Sequence, residues 1–201
     1  IRMNGEPRVF DIETDSQKES AFNAIYWWLR TLPEREARHE VARLASEAGI
    51  DVARLCRSLV MSWDEIRELA KDPLVTIGAH TVSHHALAKL PEAAARREMT
   101  ESIRRIEAEL GRPCRHFSYP YGDAGSCGRR EFRIAHELGI ETAVTTEKSL
   151  IHAAHADHLT SLPRLSLNGD YQDVRLVKVL MSGAPFAFLN AAKRALGRSA
   201  A

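Results

Sequence analysis

Leu74-Val75-Thr76-Ile77-Gly78-Ala79-His80-Thr81-Val82-Ser83-His84-His85 is a short apolar run that stops at a glycine and opens into a histidine pair. Val75, Thr76 and Ile77 are β-branched and the run is too short for a helix, which predicts a buried strand ending near Gly78. His80 and His84 stand four residues apart. One helical turn or a tight loop after the strand brings both imidazoles to one side, the usual arrangement for two ligands of one divalent ion, while His85 points elsewhere. Thr81 and Ser83 are small hydroxyl residues able to donate hydrogen bonds behind such ligands. The plainer reading is a pair of polar loop residues. What favours chemistry is the position just after a strand, where α/β proteins place their sites.

A second segment, Arg115-His116-Phe117-Ser118-Tyr119-Pro120-Tyr121-Gly122-Asp123, is another short apolar strand, broken by a proline and a glycine. His80-Thr81-x-x-His84, then a helix, then Arg115 and Tyr119-Pro120-Tyr121-Gly122 follow in the order of the polysaccharide deacetylase family, which the chain resembles from roughly Trp63 to Tyr171. That family comprises metal-dependent carbohydrate esterases, chitooligosaccharide deacetylases among them. The resemblance implies an α/β fold, a partial, distorted (β/α) barrel with parallel strands and crossover helices. It also implies a hydrolase that removes N-acetyl groups from amino sugars of a poly- or oligosaccharide, with a divalent ion, Zn first, as cofactor. The metal ligands it points to are His80 and His84. Its catalytic candidates are Arg115 and Tyr121, with Tyr119 and Pro120 against the substrate; Arg164, in the late strand, is a further catalytic candidate that departs from the family's pattern.

The chemistry fits those residue types. Deacetylation needs an activated water, a base, donors for the oxyanion and an acid for the leaving amine. Two neutral imidazoles leave a divalent ion its full charge, and the turn at Tyr121 offers a backbone N–H to the oxyanion, with Pro120 fixing the approach. Arg115 serves either to anchor the acetate side or to orient an acidic partner through a bidentate pair. The family's paired aspartates at the end of the first strand have no match: Phe10-Asp11 lacks the second aspartate, and Asp11, Glu13 and Asp15 read as a polar loop before a helix. Arg164 stands in the late strand where the family carries a Leu-x-His acid. Because the chain opens on Ile1 rather than methionine, the expectation is the C-terminal part of a single domain, incomplete as an enzyme by itself. Two other readings are a degenerate saccharide-binding module and an unrelated His-ligated metallohydrolase.

Within residues 1–201 the pattern divides into a mainly helical segment, 1–72, the motif-bearing β/α units, 73–184, and an amphipathic tail, 185–201. Ser16-x-x-Glu19 reads as a capping box before an apolar stripe of Phe22, Ile25, Tyr26 and Leu29, widened by Trp27 and Trp28 and read as core rather than as a sugar platform. Pro33 opens a second helix and Gly49 closes it; Ser62-x-x-Glu65 starts a third that stops at Asp72-Pro73. Pro91 to Leu110 is a long amphipathic helix ended by Gly111, Arg129 to Leu138 another ended by Gly139, and Glu141 to Thr146 has strand composition. This alternation predicts parallel strands. Leu162 to Gly169 is a short strand and turn, with a helix from about Tyr171 to Met181 after it.

At 201 residues and 44% hydrophobic the chain can bury a core. Its 28 basic and 27 acidic residues leave no net field that would call for nucleic acid as a partner. The expected partner is an N-acetylated saccharide. No apolar run is long enough to span a membrane, and no signal peptide is visible. Three cysteines, Cys56, Cys114 and Cys127, lack metal spacing and read as core fillers in a reducing, cytoplasmic setting. His152-x-x-His155-x-x-His158 invites a second metal site, but a solvated loop is the simpler reading.

Overall fold

Asn4 and Gly5 both take positive φ, 55° and 84°, the two-residue turn that folds β1 (Arg2–Met3) antiparallel onto β2 (Glu6–Pro7). This computed structural model describes residues 1–167, 169 and 172–188. The chain forms two compact units, Ile1–Ile66 and a second beginning at Arg67.

The first unit is helical after its hairpin. Helix α1 (Asp15–Thr31) is capped two residues before Ser16, by the extended Thr14: its hydroxyl accepts from Gln17 N–H, and the Gln17 side chain accepts from Thr14 N–H at 2.9 Å. The aromatic stripe is divided. Trp28 is buried and donates its indole N–H to Asn4 Oδ1 at 2.8 Å, whereas Phe22 and Trp27 are 64% and 63% exposed. Core burial therefore claims one edge of the stripe only. Helix α2 (Glu34–Glu47) follows Pro33 and is closed past Ala48 by Gly49, with φ 66°. A helix the periodicity did not suggest, α3 (Val52–Leu59), is capped by Asp51, which accepts from Arg54 N–H at 2.9 Å. Cys56 lies exposed on it, against the expectation of a core filler. The Ser62 box does start α4 (Trp63–Leu69), which begins in this unit and ends in the second, Ser62 N–H donating to Glu65 at 2.7 Å.

In the second unit α5 (Glu92–Leu110) runs from Pro91 to Gly111, whose φ of 65° ends it. It buries Ala95, Met99, Ser102 and Ile103. The strand β3 (His116–Ser118) continues from there, α6 (Arg129–Glu137) crosses over, and β4 (Thr142–Val144) lies parallel to β3 in the register Phe117 to Ala143. Single parallel bridges extend the array at both edges, Ala79 to Phe117 and Val144 to Leu162. The resulting strand order follows chain order, as successive crossovers require. Phe117, Tyr119, Met99, Ile134, Ile140 and Ala143 form the core between this array and its helices.

The buried strand expected over 74–78 is reduced to one rung. Leu74 is 92% exposed and only Ala79 is buried, since among the described residues this segment meets β3 on one side alone. Gly78 permits that approach: a Cβ there would stand 2.9 Å from the His116 carbonyl oxygen. Across the helices, Arg96 and Arg133 pair with Glu137, and Arg133 with Glu92. Those guanidiniums hold both carboxyls below the ordinary carboxylate range.

Cys114 and Cys127 are buried, and burial, aided by Glu131 and Asp123, pushes the Cys127 thiol up to about 12, leaving it an inert core group. Of the three spaced histidines, His155 lies on the 3-10 turn Ala153–Asp157 and His152 and His158 flank it; His155 Nδ1 accepts from His152 N–H at 2.9 Å. Helix α7 spans Val174–Met181, capped by Asp173. The expected helix start at Tyr171, the turn at Asn168 and tail residues 189–201 lie outside the described residues. No described helix is long and apolar enough to cross a membrane.

Candidate active site

The two histidines meet at the carboxyl ends of the parallel segments. Ala79 donates its N–H to His116 O at 2.8 Å and accepts from Ser118 N–H at 2.9 Å, a rung that delivers His80 to the end of β3. There His80 Nδ1 lies 2.6 Å from Ser118 O. A carbonyl can only accept, so Nδ1 is the donor, which in the neutral ring leaves Nε2 as the nitrogen available to a ligand. Thr81 then turns the chain, with φ 64°, and its hydroxyl accepts from His84 N–H at 3.0 Å. The loop option, rather than a helical turn, is what brings the imidazoles together, at 4.8 Å between ring centroids. Thr81 thus shapes the backbone instead of donating to an imidazole. His85 points away, its Nδ1 3.5 Å from Glu98 Oε1.

Opposite stands the turn after β3. Tyr121 has φ 62°, its ring centroid is 4.9 Å from that of His84, and its carbonyl accepts from Thr146 Oγ1 at 2.8 Å. Gly122, at φ 66°, receives Thr146 N–H on its carbonyl at 2.9 Å; a Cβ there would lie 2.7 Å from that same nitrogen. The turn is therefore clamped to the continuation of β4. Non-glycine residues with positive φ cost about 1–3 kcal/mol each and persist only where the surroundings over-determine them. Thr81, His84 and Tyr121, with φ of 64°, 54° and 62°, gather at this one place.

Arg164 reaches the same strand end, its Nη1 donating to Ser118 Oγ at 3.3 Å. Three other candidates leave the site. Arg115 precedes β3, at the opposite end from Tyr121, and pairs with Glu141, which precedes β4. Spacing along the sequence could not say which end of the strand its side chain serves. Tyr119 is fully buried between Phe117 and Phe132, its hydroxyl donating to Thr160 O at 2.8 Å, and is core rather than substrate contact. Pro120 is fully buried beside it, so it sets the turn instead of touching substrate. An exposed pair such as Arg115–Glu141 contributes little. Arg115→Lys is accordingly expected to leave the melting temperature nearly unchanged and activity within about twofold; a tenfold fall in kcat would bring Arg115 back to the reacting group.

Two participants escaped the sequence. Ser118 supplies its carbonyl to His80, and Glu98 accepts from Val82 and Ser83 N–H at 3.1 and 2.8 Å. For Glu98 a signal existed: three residues after Ala95 and four before Ser102, it falls on the buried face of α5. As a metal centre the cluster is two imidazoles, one with its tautomer fixed from behind, which fits two ligands of a divalent ion. Among the described residues no group of three His, Cys, Asp or Glu converges.

Residues 52–143 match the family model described as polysaccharide deacetylase. No curated protein matches the chain significantly. Among solved structures, the Streptococcus pyogenes deacetylase PplD in complex with acetate superposes with a TM-score of 0.54 at 22% identity, covering 60% of this chain and 50% of that one. IcaB from Ammonifex degensii gives 0.48 at 22% identity, covering 60% and 52%. The chain thus spans about half the length of these structures, and at 22% identity the likeness to the first is one of fold.

Proposed function

We propose, on the premise that residues 52–143 belong to the polysaccharide deacetylase family, that the chain carries part of a metal-dependent hydrolase removing N-acetyl groups from amino sugars of a poly- or oligosaccharide. The observation that supports it is the meeting of His80 and His84 beside the Tyr121 turn at the carboxyl ends of the parallel segments, where (β/α) folds hold their chemistry. In this reading the array continues as a distorted barrel.

His80 and His84 would hold a divalent ion, Zn first; when bound, such an ion would supply Lewis acidity to water and to the acetyl carbonyl. Tyr121 presents its backbone N–H to the oxygen that gains charge, and the clamp by Thr146 keeps that donor from moving during the reaction. Arg164, held on Ser118, places a fixed positive charge beside the His80 strand end.

The test is acetate release from N-acetylglucosamine oligomers by the 201-residue chain with Zn²⁺. The expected outcome is little or no release from this chain alone, because the described cluster supplies two imidazole ligands and no third; robust release would mean that a general base lies within these residues. Oligomer binding by a chain that takes up no Zn²⁺ at any concentration would replace this reading by the saccharide-binding module.

A further inference from the structure

The loop that carries the histidine pair is itself an anion-binding concavity, and the anion is built in. Beyond Thr81, in the left-handed region at φ 64°, the consecutive N–H groups of Val82 and Ser83 point at one oxygen, Glu98 Oε2, at 3.1 and 2.8 Å. The other oxygen, Oε1, faces His85 Nδ1 at 3.5 Å. Glu98 comes from a rigid element. The next residue on α5, Met99, is fully buried in the core, and the Glu98 side chain is only 16% exposed.

Val82 is 54% exposed, and its neighbours Thr81 and His84 both sit at positive φ. Two polar contacts hold the loop, the Thr81 hydroxyl closing on His84 N–H from inside and the Glu98 carboxylate closing on two N–H groups from outside. Resting on the metal reading above, we infer that Glu98 is a positioning residue: it touches neither ligand atom nor substrate, but sets the spacing of His80 and His84 by holding the apex of the loop between them.

Partners behind a metal ligand typically cost 10–100-fold in affinity when removed. Glu98→Ala should weaken Zn²⁺ binding about tenfold, whereas Glu98→Gln, which keeps an oxygen on the same stem, should stay within about threefold of wild type. Amide exchange in the metal-free chain reads the loop directly. Val82 and Ser83 should be protected in wild type, lose about tenfold of that protection in Glu98→Ala, and regain most of it in Glu98→Gln. Global melting temperature, followed alongside, separates the local effect from general unfolding. Unchanged affinity and exchange in Glu98→Ala, with binding abolished by His80→Ala, would overturn this inference and leave the metal reading intact. A wild-type chain that binds no Zn²⁺ would overturn the metal reading and, with it, the positioning role.

Discussion

Replacing either His80 or His84 by alanine is expected to lower the affinity of the chain for Zn²⁺ by at least about tenfold, measured by calorimetry or by competition with a zinc-sensitive dye. A complete structural zinc site contributes about 10–16 kcal/mol of apparent binding energy from four ligands, so one ligand represents several kcal/mol, enough for more than tenfold even in a looser pair. The geometry gives each ring a share. His80 is held by Ser118 O through Nδ1, and its centroid lies 4.8 Å from that of His84, close enough for one ion to engage both. Loss of His80 also removes the ring whose tautomer is fixed in advance. The effect of His80→Ala should therefore equal or exceed that of His84→Ala. His39→Ala, on α2 in the other unit, is the control and should change nothing. Undiminished stoichiometry and affinity in both site variants would remove the ion from this pair.

Why some of this was legible beforehand, and some was not, follows from what each signal depends on. Helix α5 could be read to within a residue because Pro91 and Gly111 are chemical end marks that act locally. The parallel pairing of β3 with β4 was legible because a crossover helix between two apolar runs leaves few topologies. The spacing of His80 and His84 showed that they could meet, but not by which backbone path. Segment 74–78 misled because β-branched composition reports how well a residue fits a pleated neighbour, and the described structure offers that neighbour on one side only. Arg115 misled for a different reason: a residue within a motif inherits the motif's role on paper, whereas a strand has two ends, and Glu141 awaits the arginine at the far one. Thr14 outcompeted Ser16 as helix cap because both fit the pattern and only the extended backbone at Thr14 decided between them.

Tyr119 carries the second large effect, and its direction separates a core residue from a substrate contact. Its ring is fully buried, packed on Phe117 at 5.2 Å and on Phe132 at 5.3 Å between centroids. Its N–H donates to Val144 O at 3.2 Å and its hydroxyl to Thr160 O at 2.8 Å, so one residue joins β3 to β4 and to the 3-10 turn Leu159–Ser161. Burial pushes the phenol well above its ordinary pKa, which keeps the hydroxyl a neutral donor across any working pH. Truncating a buried aromatic to alanine costs about 3–5 kcal/mol, a large share of the 5–15 kcal/mol typical of a whole domain. Tyr119→Ala should therefore unfold far earlier in urea or fail to accumulate as folded protein. Tyr119→Phe keeps the ring and loses one buried hydrogen bond, for about 1 kcal/mol, with the Thr160 carbonyl left to find another donor. A substrate-binding tyrosine would behave in the opposite way, with the phenylalanine variant raising KM at unchanged stability. Denaturation midpoints of the two variants, set beside oligomer binding, decide between these roles: normal binding at reduced stability is expected for Tyr119→Phe, and weakened binding at full stability would return Tyr119 to the substrate.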